Sequence, residues 1–251
     1  MRALVDALPQ ERFVYLGDTA RLPYGTKTPQ TVRRYALSAS SLLVDQGVKA
    51  LVVACNTASA FALPELQKAF APIPVLGVIA PGAQAACAHR DFGGVLVLAT
   101  ESTVRGGAYD REILARRSRF RVFARACPLL VTLAEEGRVD HPITRLVIAD
   151  YLQGLHPSVH TVVLGCTHFP IFGDQFREQL GAKVRLVDST STTAASVGEV
   201  LRARNLLQSD ATGQVGGGVR LLATDGLVRF RRLSGVFFGR TVDDIELVDL
   251  S

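Results

Sequence analysis

The sequence predicts an α/β fold built on mostly parallel sheets. Three observations carry that expectation. Short, continuously apolar runs recur along the chain, as expected of strands covered on both faces. Helix-patterned stretches separate several of them, the alternation from which parallel sheets are made. The chain also carries an internal echo. LVVACNTAS at 51–59 and VVLGCTHFP at 162–170 each read as an apolar strand, a cysteine, two polar residues and a helix.

Taken in order, strands are expected at 13–16, 49–54, 75–78, 94–99, 121–124, 161–164, 184–187 and 220–223. The first long helix has Thr28 to cap it, Pro29 at its first position and Gly47 to end it. Inside it Val32, Tyr35, Ala36, Ala39 and Leu43 recur at helical spacing. A helix over 142–154 would turn Ile143, Leu146, Val147 and Tyr151 inward. Further helices are expected near 170–180 and 192–204, and the stretch QSDATGQVGGG at 208–218 reads as a flexible surface loop. No linker marks a domain boundary.

Composition narrows the function classes. The chain has 251 residues, 48% hydrophobic and 20% charged, enough to bury a core as one large or two small domains and too apolar for a disordered chain. No run approaches the roughly 18 apolar residues of a membrane span. The opening MRALVDALPQER lacks the apolar stretch of a secretory signal, so a cytoplasmic protein with no membrane partner is expected. The 28 basic and 23 acidic residues leave a mild +5. Arg111, Arg116, Arg117, Arg119, Arg121 and Arg125 are interspersed with apolar residues, and they and the run 229–232 read as solvated faces, not a nucleic-acid surface.

Four cysteines remain: Cys55, Cys87, Cys127 and Cys166. None lies in a CxxC pair or a zinc spacing, so free thiols are expected. Cys87 and Cys127 have the context of packing residues. Cys55 and Cys166 each end an apolar run and precede a helix. Ligands bind at the carboxyl ends of strands in open α/β sheets, and a helix start favours a thiolate. Burial as plain packing groups is the alternative for these two as well. Their neighbours offer recognition chemistry: Asn56, Thr57 and Thr167 as donors and acceptors, and His168 as a proton reservoir for Cys166. GDTARLPYG at 17–25 follows a strand and brings Asp18, Tyr24 and Gly25 toward the same face. On sequence alone, the adjacent Glu135 and Glu136 read as a solvated helix end.

The strings GDTARLPYG, LVVACNTAS, LATESTVRGGAY, ACPLLVTLAEEG, VVLGCTHFP and RLVDST together resemble glutamate racemases of the aspartate/glutamate racemase superfamily, in order from residue 13 to about residue 196. The tail, LLATDGLVRFRRLSGVFFG and IELVDL, is similar more loosely. The resemblance implies cofactor-independent and metal-free interconversion of L- and D-glutamate, the D-isomer going to cell-wall peptidoglycan. It implies Cys55 and Cys166 as acid and base on opposite faces of the α-carbon, so that each titrates under the other's influence. Tyr24, Gly25, Asn56, Thr57, Thr167 and His168 match substrate contacts, and Thr103 matches a residue at a substrate carboxylate. His168 and Glu135 match groups that assist the Cys166 side, with Asp18 one layer behind. The implied fold is two pseudo-symmetric α/β lobes, residues 1–79 with 188–251 and residues 80–187, with the active site between them. A homodimer is the candidate assembly.

One departure stands out. The family opens with a strand and turn reading roughly GVFDSGVGGL, whereas this chain opens MRALVDALPQE, which matches the following helix. The first lobe is therefore expected to lack a strand and the turn's Asp and Ser, and little or no racemisation is expected of this chain. Asp6, in a helix-patterned stretch, does not replace that Asp. Other readings are an inactive amino-acid-binding homologue, an aspartate racemase of the same superfamily, a cysteine hydrolase using Cys166 and His168, and a zinc site from Cys55, Cys166 and His168. The hydrolase reading leaves Cys55 without a task.

Overall fold

The computed structural model describes residues 1–88, 93–208, 218–238 and 244–250. Its elements run α1 (Arg2–Ala7), β1 (Phe13–Gly17), α2 (Pro29–Asp45), β2 (Leu51–Val53), α3 (Asn56–Ala69), β3 (Val75–Gly77), α4 (Ile79–Ala86), β4 (Gly93–Ala99), α5 (Glu101–Gly106), α6 (Ala108–Arg116), β5 (Phe120–Ala126), α7 (Pro128–Glu135), α8 (Pro142–Leu152), β6 (Val159–Gly165), α9 (Gly173–Leu180), β7 (Arg185–Asp188), α10 (Thr190–Ala203), β8 (Val219–Ala223), α11 (Leu227–Phe238) and β9 (Ile245–Leu247).

All pairings among these strands are parallel. They form a four-stranded sheet in the order β5-β4-β6-β7, a three-stranded sheet β1-β8-β9 and a pair β2-β3. The apolar runs are continuous because both faces of the large sheet are covered. On β4, Val95 and Val97 face a core with Ala83 of α4 and Ile113 of α6. Leu96 and Leu98 face a second core with Leu130 of α7, Ile148 of α8 and Phe176 of α9. Period-two alternation of side chains thus feeds two cores from one strand. Leu98 is fully buried, so truncation to Ala should destabilise the fold by about 2–5 kcal/mol.

All eight expected strands are present. β9 was not expected: it has three residues, and only Ile245 is buried. α2 begins as read, with the Thr28 side chain accepting from the Thr31 amide and Pro29 in the first turn. The chain then turns at Gly47, φ +73°, a conformation that favours glycine.

The face of α8 departs from the expectation. Leu146 is 70% exposed and Ile143 46%, while Thr144 and Ile148 are buried and Val147 and Tyr151 pack partly against the core. The helix is apolar on two sides, so its periodicity admits two phases, and packing into the core shared with α7 and α9 selects the one containing Ile148. The helix expected over 170–180 starts as a 3-10 turn, Phe169–Phe172, before α9. Asp6 is exposed on α1 beside Arg2, with N···O 3.8 Å. The loop expected at 208–218 lies outside the described residues except at its ends. Arg111, Arg116, Arg119 and Arg121 are exposed, as expected, while Arg125 reaches back to the Gln153 carbonyl at 2.9 Å.

Candidate active site

Cys55 and Cys166 both stand just past the carboxyl ends of parallel strands, Cys55 after β2 and Cys166 after β6. Cys55 is the residue before α3, with its backbone extended at φ −75° and ψ 123°. Burial pushes its thiol up to about 11, against the opposing pull of the Ala58 and Thr57 amides and the Thr57 hydroxyl, and the charge of Cys166 adds to the rise. This corrects the expectation of a lowered thiol: desolvation outweighs the helix start. The influence of Cys166 is informative, because it comes from a residue 111 positions away in the chain.

Cys166 has a different setting. No α-helix starts beside it, since the chain enters the Phe169–Phe172 turn first. Its partner is His168, whose Nδ1 lies 3.8 Å from the Cys166 Sγ. The His168 Nε2 lies 2.9 Å from Glu135 Oε1, at the end of α7. Burial opposes charge on this imidazole, but the contacts with Cys166 and Glu135 outweigh it and raise the group to about 10. Glu135 is held below the usual carboxylate range by its hydrogen bond to His168, with Arg229 contributing. The reading of Glu135 as a solvated helix end is therefore wrong, while its neighbour Glu136 stays half-exposed. His168 is positioned on its other side by Phe237 of α11, with ring centroids 5.4 Å apart at 88°.

The remaining sequence candidates fall around these two sulfurs. Thr57, the second residue of α3, and Thr103 of α5 are both 2% exposed. With Thr100, the N-cap of α5, they form a triangle of hydroxyls with all three sides at 3.0 Å. The triangle joins α3 to the end of β4 in the large sheet. Gly25 packs onto it so closely that a Cβ there would sit 2.6 Å from Thr100 Cβ. Tyr24 donates its hydroxyl to Asp18, which also accepts from Thr224 at 3.1 Å. Burial raises the Tyr24 pKa, and the bond to Asp18 raises it further, so the phenol stays protonated. Asn56 is 3% exposed and Thr167 is exposed. Cys87 and Cys127 are buried, as expected of packing residues, and burial pushes Cys127 up to about 12.

Three neighbours of these residues carry no signal of their own in the sequence. Thr100 lies in LATESTVRGGAY beside Thr103. Arg229, which bonds Glu135 Oε2 at 2.9 Å, was read as part of a solvated face. Phe237 had no local signal, because its partner His168 comes from another part of the chain.

The arrangement offers two thiols just past strand ends, one supported by an imidazole and carboxylate, with buried hydroxyl and amide groups nearby. It suits proton transfer at a small polar molecule. Among the described residues, no group of three or more His, Cys, Asp or Glu side chains is disposed to hold a metal ion. No described helix is long and apolar enough to cross a membrane.

The chain is similar to known proteins over its whole length. The family described as Asp/Glu/Hydantoin racemase matches residues 1–197. The glutamate racemase of Geobacter metallireducens is 45% identical over 251 residues, which is all of this chain and 92% of that protein. Among solved structures, glutamate racemase from Thermus thermophilus in complex with beta-chloro-D-alanine superposes with a TM-score of 0.88 at 40% identity, covering 99% of this chain and 91% of that one. Glutamate racemase from Francisella tularensis in complex with D-glutamate does so with a TM-score of 0.91 at 32% identity, covering 99% and 92%.

Proposed function

The chain belongs to the Asp/Glu/hydantoin racemase family, and on that premise we propose that it interconverts L- and D-glutamate by proton transfer between Cys55 and Cys166, with no cofactor. The observation that carries this reading is the placement of two cysteines just past parallel strand ends, the charge of one felt at the other, with an acid–base train behind Cys166.

Inversion needs a proton removed from one face of Cα and another delivered to the opposite face. The thiolate on one side takes the α-proton and becomes a thiol. The electron pair left on Cα is delocalised into the adjoining carboxylate. The thiol on the other side then gives up its proton to that carbon and becomes a thiolate, so the sulfurs have exchanged roles and no atom is gained or lost. His168, held by Glu135, stabilises Cys166 as a thiolate and returns charge balance when Cys166 carries the proton. Tyr24, Gly25, Asn56, Thr57, Thr103 and Thr167 bind the amino acid, in a site where fixed donors replace water around the developing charge.

The lobes implied are residues 1–79 with 188–251 and residues 80–187. Support comes from the four-stranded sheet, which uses only residues 93–188. The same reading makes this a cytoplasmic enzyme supplying D-glutamate for peptidoglycan, with a homodimer as its assembly. The decisive experiment is deuterium incorporation at Cα from D₂O, with glutamate and aspartate run in parallel. Exchange and inversion of glutamate are expected, and exchange of aspartate alone would overturn the substrate.

One observation favours a second reading. β1 and β2 are consecutive strands joined by α2, yet they belong to separate sheets. A division there loosens the support beneath Cys55, as in an amino-acid-binding protein with little turnover. Calorimetric binding of glutamate without α-proton exchange would select it.

A further inference from the structure

Tyr109, in α6, is 2% exposed and belongs to no part of the mechanism above. Its hydroxyl donates to Asn56 Oδ1 at 2.8 Å, a buried bond between residues 53 positions apart. The ring is wedged between two glycines. A Cβ at Gly165, the residue before Cys166, would lie 3.0 Å from its Cε2, and one at Gly82 would lie 3.0 Å from its hydroxyl. Tyr109 therefore touches the strand end that carries Cys166 and grips the residue that follows Cys55.

The other end of the Asn56 amide completes the picture. Nδ2 is buried and has no protein hydrogen-bond partner. Most buried polar groups are satisfied, so one left open beside a candidate binding site calls for an acceptor. With Oδ1 held by Tyr109, the amide cannot flip to offer its oxygen without breaking that bond. Burial raises the Tyr109 pKa, so the phenol remains a neutral donor.

We propose that Tyr109 is a positioning residue, whose hydroxyl fixes the Asn56 side chain so that Nδ2 donates to a carboxylate oxygen of the bound amino acid. The inference rests on the racemase reading and deepens it by assigning the orientation of one substrate contact. A phenylalanine would fill the same space and leave Asn56 free to rotate.

The test is a double-mutant cycle in the full chain with Tyr109→Phe and Asn56→Ala. Tyr109→Phe should raise KM for both glutamate enantiomers by about tenfold, the scale of one well-aligned hydrogen bond to a charged group, with a smaller effect on kcat. Where turnover is slow, Kd from calorimetry replaces KM. In the Asn56→Ala background the same substitution should change neither constant, whereas a merely structural Tyr109 would give additive losses. The side-chain amide resonances of Asn56 give a readout independent of turnover: glutamate should shift them in the wild type, and the shift should be lost in Tyr109→Phe. Unchanged affinity in Tyr109→Phe, or full additivity, overturns the proposal while leaving the racemase reading intact. A wild type that neither binds nor exchanges glutamate overturns both.

Discussion

Replacing Glu135 by Gln isolates the electrostatic part of the acid–base train. The substitution keeps the shape and an oxygen to face His168 Nε2, now 2.9 Å from Glu135 Oε1, and removes only the charge. A full charge within about 4–6 Å shifts a pKa by about 1–3 units, equivalent to about 1.4–4 kcal/mol of preference for the protonated ring. Cys166 and Glu135 together hold His168 at about 10 against burial. Without Glu135 the imidazole should titrate at about 7–9. The ring can be followed by NMR in labelled protein, with His168→Asn identifying its signal among the five histidines. The alkaline limb of the pH–rate profile should move down by the same amount. The two enantiomers have equal energy, so kcat/KM must match in both directions for every variant. The effect is therefore sought in the individual kcat values, and the direction in which Cys166 gives up its proton should respond differently from the other. A wild-type His168 titrating near 6.5, or a midpoint indifferent to Glu135→Gln, would refute the linkage of Glu135, His168 and Cys166.

Three further outcomes are expected. Cys55→Ser and Cys166→Ser should each abolish net racemisation, while each variant eliminates halide from only one enantiomer of a β-halo amino acid; normal racemisation by either rules out a two-thiol mechanism. Gly25→Ala would drive a Cβ to 2.6 Å from Thr100 Cβ, so a loss of about 1–3 kcal/mol in urea unfolding is expected, together with a raised KM; an unchanged protein would mean that this contact yields easily. His168 binds its proton more tightly folded than unfolded, at about 10 against 6.5. Its contribution to stability is therefore complete below pH 6.5 and is lost as the pH rises toward 10, with a slope of at most about 1.4 kcal/mol per pH unit; a flat urea midpoint across that window contradicts the assignment.

The strands were readable because covering both faces of a parallel sheet leaves no polar alternation to confuse them. β4 with its run from Gly94 to Ala99 is the clearest case. Where an element is apolar on two sides, as in α8, periodicity alone does not select its buried face, and Ile143 and Leu146 were placed inward when they face out. β9 is too short to show a pattern. In the site, the two strand-end cysteines were visible through their matched contexts, and His168 through its spacing from Cys166. Their energetics were not. The Cys55 thiol is raised because neighbours from elsewhere in the chain exclude water, and no local string carries that information. Arg229 and Tyr109 look ordinary in sequence, since each acquires its meaning from a partner at least fifty positions away.

α11 leads from the three-stranded sheet, between β8 and β9, yet its Arg229 and Phe237 rest on Glu135 and His168, which are anchored to the large sheet. The helix thus ties the three-stranded sheet to the acid–base pair beside the large one. Whatever displaces α11 therefore also reaches the imidazole and carboxylate it rests on.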